Sequence, residues 1–188
     1  SKKFILERNN PSLQIELLDK QRTLELAQLA NVPTPQFFAV NQLSDINLHI
    51  ERMQFPLILK PFNTHSFSRL YGSKYVPIGS KQELDSKAGQ LLEDQIEFMV
   101  CEMVQGPDSA ACSYYTYRDR NGNELLNLTK RCVRRNPINA GTGTYQVTEH
   151  LPEVADLGRR FFDSIDYRGY GNIEFKRDSR DGQLKVIE

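Results

Sequence analysis

Apolar positions recur along the chain first at helical spacing and then at strand spacing, and the changes of period mark the elements. Residues 19–30 form a helix with Leu24, Ala27 and Leu29 among its apolar positions; Asp19 is its N-cap and Val32-Pro33 ends it. A strand over 36–40 follows, then a short helix from Ser44-Asp45 to Met53. Phe55-Pro56-Leu57-Ile58-Leu59-Lys60 reads as a buried strand that stops at a Lys-Pro step. Residues 62–72 are polar and loop-like, 74–78 pair back as a strand, and Ser80 with Glu83 makes a capping box for a helix to Leu92. Strands then dominate, over 98–104, 110–117 and 124–134, with Asn121-Gly122 as the hairpin signal between the last two. Residues 136–143, with Pro137, Gly141 and Gly143, read as a flexible loop. A helix over 153–165, a strand over 171–176, a turn at Asp181-Gly182 and an alternating strand over 184–188 complete the pattern.

Meanders of strands with flanking helices predict an α+β fold. Neither GxGxxG nor GxxxxGK[ST] occurs, so neither a Rossmann nor a P-loop phosphate site is supported. At 188 residues and 39% apolar content the chain suffices for one domain or two small lobes. The 24 basic and 24 acidic side chains cancel, which gives no field favouring nucleic acid or a membrane surface. Cys101, Cys112 and Cys132 form no CxxC pair and read as reduced, partly buried thiols of a cytoplasmic protein. No leader peptide is visible, and the terminal strand has no turn or cap after it, so residues are expected to continue beyond Glu188.

Four groups of side chains carry candidate chemistry. Glu174 and Glu188 lie on successive strands of one hairpin, and opposed carboxylates on one face need a neutralising partner such as Mg²⁺. The alternative is a solvent-facing Glu174 paired to Lys176 or Lys185. Lys60 ends an apolar strand and Lys20 sits in the first turn of a helix, where the dipole disfavours a cation. A polyphosphate would explain both; so would a snorkelling Lys60 and a solvated Lys20. The hydroxyl-rich stretch from Asn63 to Arg69 suits either a phosphate-covering flap or an ordinary loop. Lys130, Arg131, Arg134 and Arg135 suggest an anion site or an edge strand guarded by charge. His49, His65 and His150 have no metal-ligand spacing, and no Ser/His/Asp or Cys/His arrangement is present.

Taken in order, these segments resemble the ATP-grasp superfamily, from Leu18 to Glu188. Asp19-Lys20, a helix and then Val32-Pro33-Thr34-Pro35 is similar to the family's "DK…G(I/V)P(T/A)P" opening, with Asn31 in place of the usual glycine. Phe55 to Pro61 is similar to its "(F/Y)P(L/V)(I/V)(V/L)KP" strand, and Cys101-Glu102-Met103-Val104-Gln105-Gly106-Pro107-Asp108 to its hinge. Gly171 to Lys176 with Leu184 to Glu188 resembles its metal hairpin, in the style of D-aspartate ligase and carbamoyl phosphate synthetase-like sequences. The flap departs from the glycine-rich form, having only Gly72.

The resemblance implies an ATP-grasp fold of two α+β lobes with the nucleotide between them. Residues 1–40 would lead into the core, 41–96 form a small lobe, and 97–188 a large lobe incomplete at its C-terminus. It implies ATP and Mg²⁺ as cofactors, with Lys20 and Lys60 on the phosphates, Glu102, Met103, Val104 and Gln105 on the adenine, and Asp108 on the ribose. Glu174 and Glu188 would hold the metal, Asn172 would contact a reacting oxygen, and one or more of Arg131, Arg134 and Arg135 would join Lys60 in stabilising the transferring phosphate. The third metal ligand, an asparagine, would lie beyond Glu188, and an acceptor-binding domain before Ser1, so the chain alone is expected to be inactive. The implied reaction is activation of a carboxylate as an acyl phosphate for attack by an amine. A carbamoyl phosphate synthetase-like enzyme and an ATP-binding module without ligase activity are the alternatives. The partners implied are small-molecule carboxylate and amine substrates, with a homodimer left open and neither nucleic acid nor membrane.

Overall fold

Strands paired by alternating apolar residues build two antiparallel sheets in the computed structural model, which describes residues 10–136, 138 and 142–188. The chain divides into two units. One spans Pro35–Met103; the other joins Val104–Glu188 to the described residues before Pro35.

The unit Pro35–Met103 holds a four-stranded sheet ordered β1-β4-β2-β3, with β1 at Phe37–Val40, β2 at Leu57–Pro61, β3 at Val76–Ile78 and β4 at Phe98–Glu102. Alternation sends Phe38, Val40, Leu57, Leu59, Phe98 and Val100 to one face. There they pack with Ile46 of α3 (Leu43–His49), Phe67 of α4 (Thr64–Tyr71) and Leu84, Ala88 and Leu91 of α5 (Lys81–Glu93). Ser80 caps α5 by accepting the Glu83 N–H at 3.2 Å.

Two expectations change here. Residues 98–104 were grouped with the later strands, yet β4 pairs with both β1 and β2. All five of its residues are buried, which suits a central strand and carries no alternation to betray its neighbours. Residues 64–71 form helix α4 instead of a loop, because Phe67 is 1% exposed in the core and stacks on Tyr71 one turn later, at 4.4 Å between centroids.

The other unit holds a five-stranded sheet ordered β7-β6-β5-β8-β9: β5 at Ala111–Arg118, β6 at Glu124–Asn136, β7 at Thr142–Thr148, β8 at Gly169–Arg177 and β9 at Leu184–Val186. Gly122, at φ +87°, turns β5 into β6, and the Asp119 carboxylate accepts the Asn121 and Asn123 N–H groups, each at 2.8 Å. Strand β7 and helix α1 (Pro11–Glu16) were not foreseen. Of the expected loop over 136–143, Asn136 ends β6 and Thr142 and Gly143 open β7, while residues 137 and 139–141 lie outside the described residues.

Helix α6 (Pro152–Ser164) lies across β5, β6 and β8. Its Leu157, Phe161 and Phe162 are buried with Tyr114, Ile173 and Phe175 of the sheet. Phe162 meets Tyr114 at 6.1 Å, Tyr167 at 5.1 Å and Phe161 edge-on at 5.3 Å. Gly158 is there because a Cβ would stand 2.3 Å from Tyr114 Cδ1. Helix α2 (Lys20–Leu29) is capped by Asp19, whose carboxylate accepts the Gln21 and Arg22 N–H groups at 2.8 and 3.2 Å. The segment after it is tied down by Val186 N–H donating to the Pro33 carbonyl at 2.9 Å and by Arg160 donating to the Asn31 carbonyl at 3.1 Å. No helix among the described residues is long and apolar enough to cross a membrane.

Candidate functional site

Strand register decides which polar side chains of the five-stranded sheet meet. Cross-strand partners share a face, so Glu174 lies with Ser113, Asn172 with Tyr115, and Lys176 with Ala111. The face so defined is opposite to the one α6 covers, because Ile173 and Phe175 alternate with these residues. Lys130, the partner of Ser113 on β6, joins it, its Nζ 4.4 Å from the Tyr115 ring centroid and bonded to the Tyr115 hydroxyl.

The hairpin brings Glu174 and Glu188 together through their backbones. The Glu174 N–H donates to the Glu188 carbonyl at 2.7 Å, and the Ile187 N–H to the Glu174 carbonyl at 2.8 Å. The regular ladder ends at Val186, just before these bonds. The Glu174 side chain, 26% exposed, has Arg135 Nη2 3.7 Å from Oε2. Glu174 is thus paired with an arginine of β6, not with Lys176 or Lys185. Among the described residues there is no cluster of three or more His, Cys, Asp or Glu suited to a metal. The Glu174 and Glu188 carboxylates would together be a partial hard-oxygen donor set, of the kind Mg²⁺ completes with water and phosphate oxygens.

Beyond Glu174 the strand becomes strongly charged. Lys176 is buried, which pushes its ammonium pKa below the usual lysine value; Arg135 pushes the same way, and Asp108 and Asp178 oppose it. Lys185 leans the other way: burial lowers it, but bonds to Asp181 and Asp178 outweigh that and hold it above the usual value. Asp178 is fully buried, a cost that raises its pKa, yet hydrogen bonds from Arg180 and Lys185 dominate and hold it well below the ordinary carboxylate range. Lys185 Nζ reaches Asp178 Oδ2 at 2.9 Å and Asp181 Oδ2 at 2.7 Å, and Arg180 Nη2 reaches Asp178 Oδ2 at 2.6 Å.

The remaining predicted residues fall in two settings. In the unit Pro35–Met103, Lys60 lies on β2 opposite Met99, on the face that also carries Ile58 and Cys101. Burial pushes the Cys101 thiol up, and the Lys60 charge pulls it back. The Glu102 carboxylate, 6% exposed, accepts the Gln54 N–H at 2.8 Å. Its backbone N–H donates to Gln36 at 2.9 Å, and that of Met103 to Pro56 at 3.0 Å. Val104 and Gln105 follow in the other unit, where the Gln105 carbonyl accepts the Ser179 N–H at 3.0 Å, and Asp108 opens a short 3₁₀ turn, Asp108–Ala110. Lys20 is the first residue of α2.

Arg131 is engaged by Glu149 at 2.7 Å, and Arg134 is exposed; the arginine beside Glu174 is Arg135. Strand β6 is flanked by β5 and β7, so these charges do not guard an edge. Periodicity fails to single out Arg135 because two register shifts between β6 and β7 fall beside it. Lys176 was weighed only as a partner of Glu174, and burial gives it a different place. His49 packs on Phe38 at 4.8 Å, His150 is exposed, and the His65 side chain lies outside the described residues.

No family model matches the chain. Over its whole length it is 25% identical to the D-aspartate ligase of Enterococcus faecium (strain Aus0004), covering 47% of that protein. Over 91% of the chain it is 22% identical to the D-alanine--D-alanine ligase of Xylella fastidiosa (strain Temecula1 / ATCC 700964), covering 57% of it. The chain thus spans about half the length of the curated relatives it matches. The biotin carboxylase domain of Hydrogenobacter thermophilus 2-oxoglutarate carboxylase, solved with MgADP, ADP and bicarbonate, superposes with a TM-score of 0.74 at 18% identity, over 94% of this chain and 40% of that one. The fold is the α+β fold of the ATP-grasp enzymes.

Proposed function

We propose that this chain is the nucleotide-handling core of a ligase that uses ATP to activate a carboxylate as an acyl phosphate, which an amine then attacks. The observation that carries the reading is the backbone pairing of Glu174 with Glu188, with the Glu174 side chain on the sheet face opposite to α6 and Arg135 3.7 Å from it. Paired carboxylates with a guanidinium at hand suit a site that receives both a divalent cation and a phosphoryl group.

In the proposed reaction a carboxylate oxygen bonds to the γ-phosphorus of ATP and the bridging oxygen leaves with ADP. The amine nitrogen then bonds to the acyl carbon, phosphate leaves, and the amine gives up a proton. Glu174 and Glu188 would hold Mg²⁺, which supplies charge neutralisation on the phosphate oxygens when bound. Lys60 and Lys20 would meet the phosphates, and Asn172, exposed two residues before Glu174, the transferring group. Of the three candidates Arg131, Arg134 and Arg135, Arg135 would take the phosphate role, since it stands beside Glu174 and Arg131 is engaged by Glu149. Adenine would be read by the backbone from Glu102 to Gln105, because the Glu102 carboxylate serves Gln54. Asp108 would meet the ribose. The buried, free cysteines are in keeping with a cytoplasmic setting.

Incubating the full-length parent protein with ATP, Mg²⁺ and pools of amino acids tests the proposal. ADP release that requires one carboxylate and one amine supports the ligase; ADP binding with no release under any pool leaves only the binding module. Asp108→Ala is expected to weaken ATP binding by about 1 to 2 kcal/mol, the scale of one charge-assisted hydrogen bond. Unchanged affinity by calorimetry would remove Asp108 from the site.

A further inference from the structure

On the sheet face opposite to α6, the side chains change character along the strands. Register sets them in rows across β6, β5 and β8, each row roughly 7 Å from the next. Lys130, Ser113 and Glu174 make the first row. In the second, Tyr115 lies between Leu128 and Asn172; in the third, Tyr117 lies between Leu126 and Tyr170. The Tyr115 and Tyr170 rings stand 6.5 Å apart between centroids. Tyr170 is nevertheless 60% exposed and Leu126 47%. Neighbouring rings and leucines that reach solvent beside a charged row mark a surface on which something apolar binds.

Lys130 joins the charged row to the apolar ones. Its ammonium donates to the Tyr115 hydroxyl and lies 4.4 Å from the centroid of that ring, and no carboxylate stands within ion-pair distance of it among the described residues. An ammonium has three N–H donors, so two remain for an incoming anion. Tyr115 thus fixes a cation in the row of Glu174, where a carboxylate about to be phosphorylated has to arrive. The side chain of such an acid, directed along the strands away from Glu174, runs over Tyr115 toward Tyr170 and Leu126. An aromatic ring two or three carbons from its carboxyl group spans about one row. The methyl of alanine falls short of these rings, and the second carboxylate of aspartate would be set against ring faces that carry partial negative charge.

We propose that Lys130 anchors the carboxylate that this ligase activates and that Tyr115, Tyr117, Tyr170 and Leu126 receive its side chain, so that the acid is a large apolar or aromatic one. The proposal rests on the ligase reading given above and names its acid.

Hydroxylamine in place of the native amine tests this in the full-length parent protein with ATP and Mg²⁺. Its nitrogen attacks the acyl carbon and phosphate leaves, so the hydroxamate formed reports which acid was activated. Phenylalanine and leucine should exceed alanine and aspartate in kcat/KM by about tenfold or more, and Tyr170→Ser should narrow that ratio to within about threefold through the KM of the apolar acids. Lys130→Met should raise the KM of every acid by about tenfold or more while the KM of ATP stays as it was, and Lys130→Arg should recover part of the loss. Circular dichroism melts check folding, and Lys130→Gln replaces the Met variant if that one does not fold. Alanine or aspartate as the preferred acid, a ratio that Tyr170→Ser leaves unchanged, or an acid KM unmoved by Lys130→Met overturns the proposal while the ligase reading stands. Hydroxamate from no acid at all overturns the ligase reading, and this inference with it.

Discussion

The two faces of the five-stranded sheet come from the same strands, residue by residue in alternation, and they are built on opposite principles. Under α6 the sheet presents Tyr114, Ile173 and Phe175 to Phe161 and Phe162, with glycines wherever a ring needs room: a Cβ on Gly158 would stand 2.3 Å from Tyr114 and one on Gly171 2.6 Å from Phe162. On the other face the same strands carry Lys130, Asn172, Glu174 and Lys176, with Arg135 beside Glu174. The first face is settled by volume and the second by charge. On the proposed reading the packed face serves stability and the other face chemistry, so substitutions on the two faces should fail in different measurements, with the buried ion cluster of the turn after β8 as the exception.

The largest expected effect on stability comes from the turn that closes the charged face. Asp178 is fully buried and bonded to Arg180 and Lys185, so Asp178→Ala takes the shared carboxylate from both cations, leaving Lys185 only Asp181, and should cost roughly 3 kcal/mol in a denaturant melt. The pH dependence has a definite sign. The Asp178 carboxyl is held well below its unfolded value of about 4, so its contribution is complete above that pH and is lost as pH falls through and below it. Asp178→Asn should flatten that acid limb; an unchanged limb would assign the acid sensitivity elsewhere.

On the packed face, Gly158→Ala sets two effects against each other. Alanine favours a helix interior by about 1 kcal/mol over glycine. Here the new methyl would press on the Tyr114 ring, and overpacking of that kind costs about 1 to 3 kcal/mol. Net destabilisation, with nucleotide affinity unchanged, is the expected outcome; a higher melting temperature would show that Tyr114 has room to move.

A smaller effect is expected at Arg135. Its guanidinium stands 3.7 Å from Glu174 in a partly exposed pair, so Arg135→Gln should tighten divalent-cation binding by a few-fold, about 0.5 to 1 kcal/mol, with no loss of stability. Weaker cation binding in that variant would mean that Arg135 supports the carboxylate geometry rather than opposing the cation.

Strand alternation and caps made most of this fold readable in advance. Asp19 capping α2, Ser80 capping α5 and Gly122 turning β5 into β6 follow from local chemistry, and local chemistry is what a single sequence displays. Strand β4 was misplaced because five consecutive buried residues give no period, and its partners β1 and β2 lie far along the chain. Helix α4 was missed because its polar residues outvote Phe67 and Tyr71, whose burial is a tertiary event. In the candidate site, the adjacency of Glu174 and Glu188 was visible as a hairpin, whereas the place of Arg135 depends on β-bulges and that of Lys176 on the turn at Gly106.

The proposal that Glu174 and Glu188 form the cation site is tested most directly by titrating ADP into the wild-type protein and into Glu174→Gln, each with and without Mg²⁺. Glutamine keeps the shape and the strand but is a poorer ligand for a hard cation. Mg²⁺ should strengthen ADP binding to the wild type by about tenfold or more, while Glu174→Gln should keep the metal-free affinity and the melting temperature and lose the enhancement. An equal Mg²⁺ enhancement in both proteins would contradict the account, because the carboxylate pair would then be part of the sheet and not of the site.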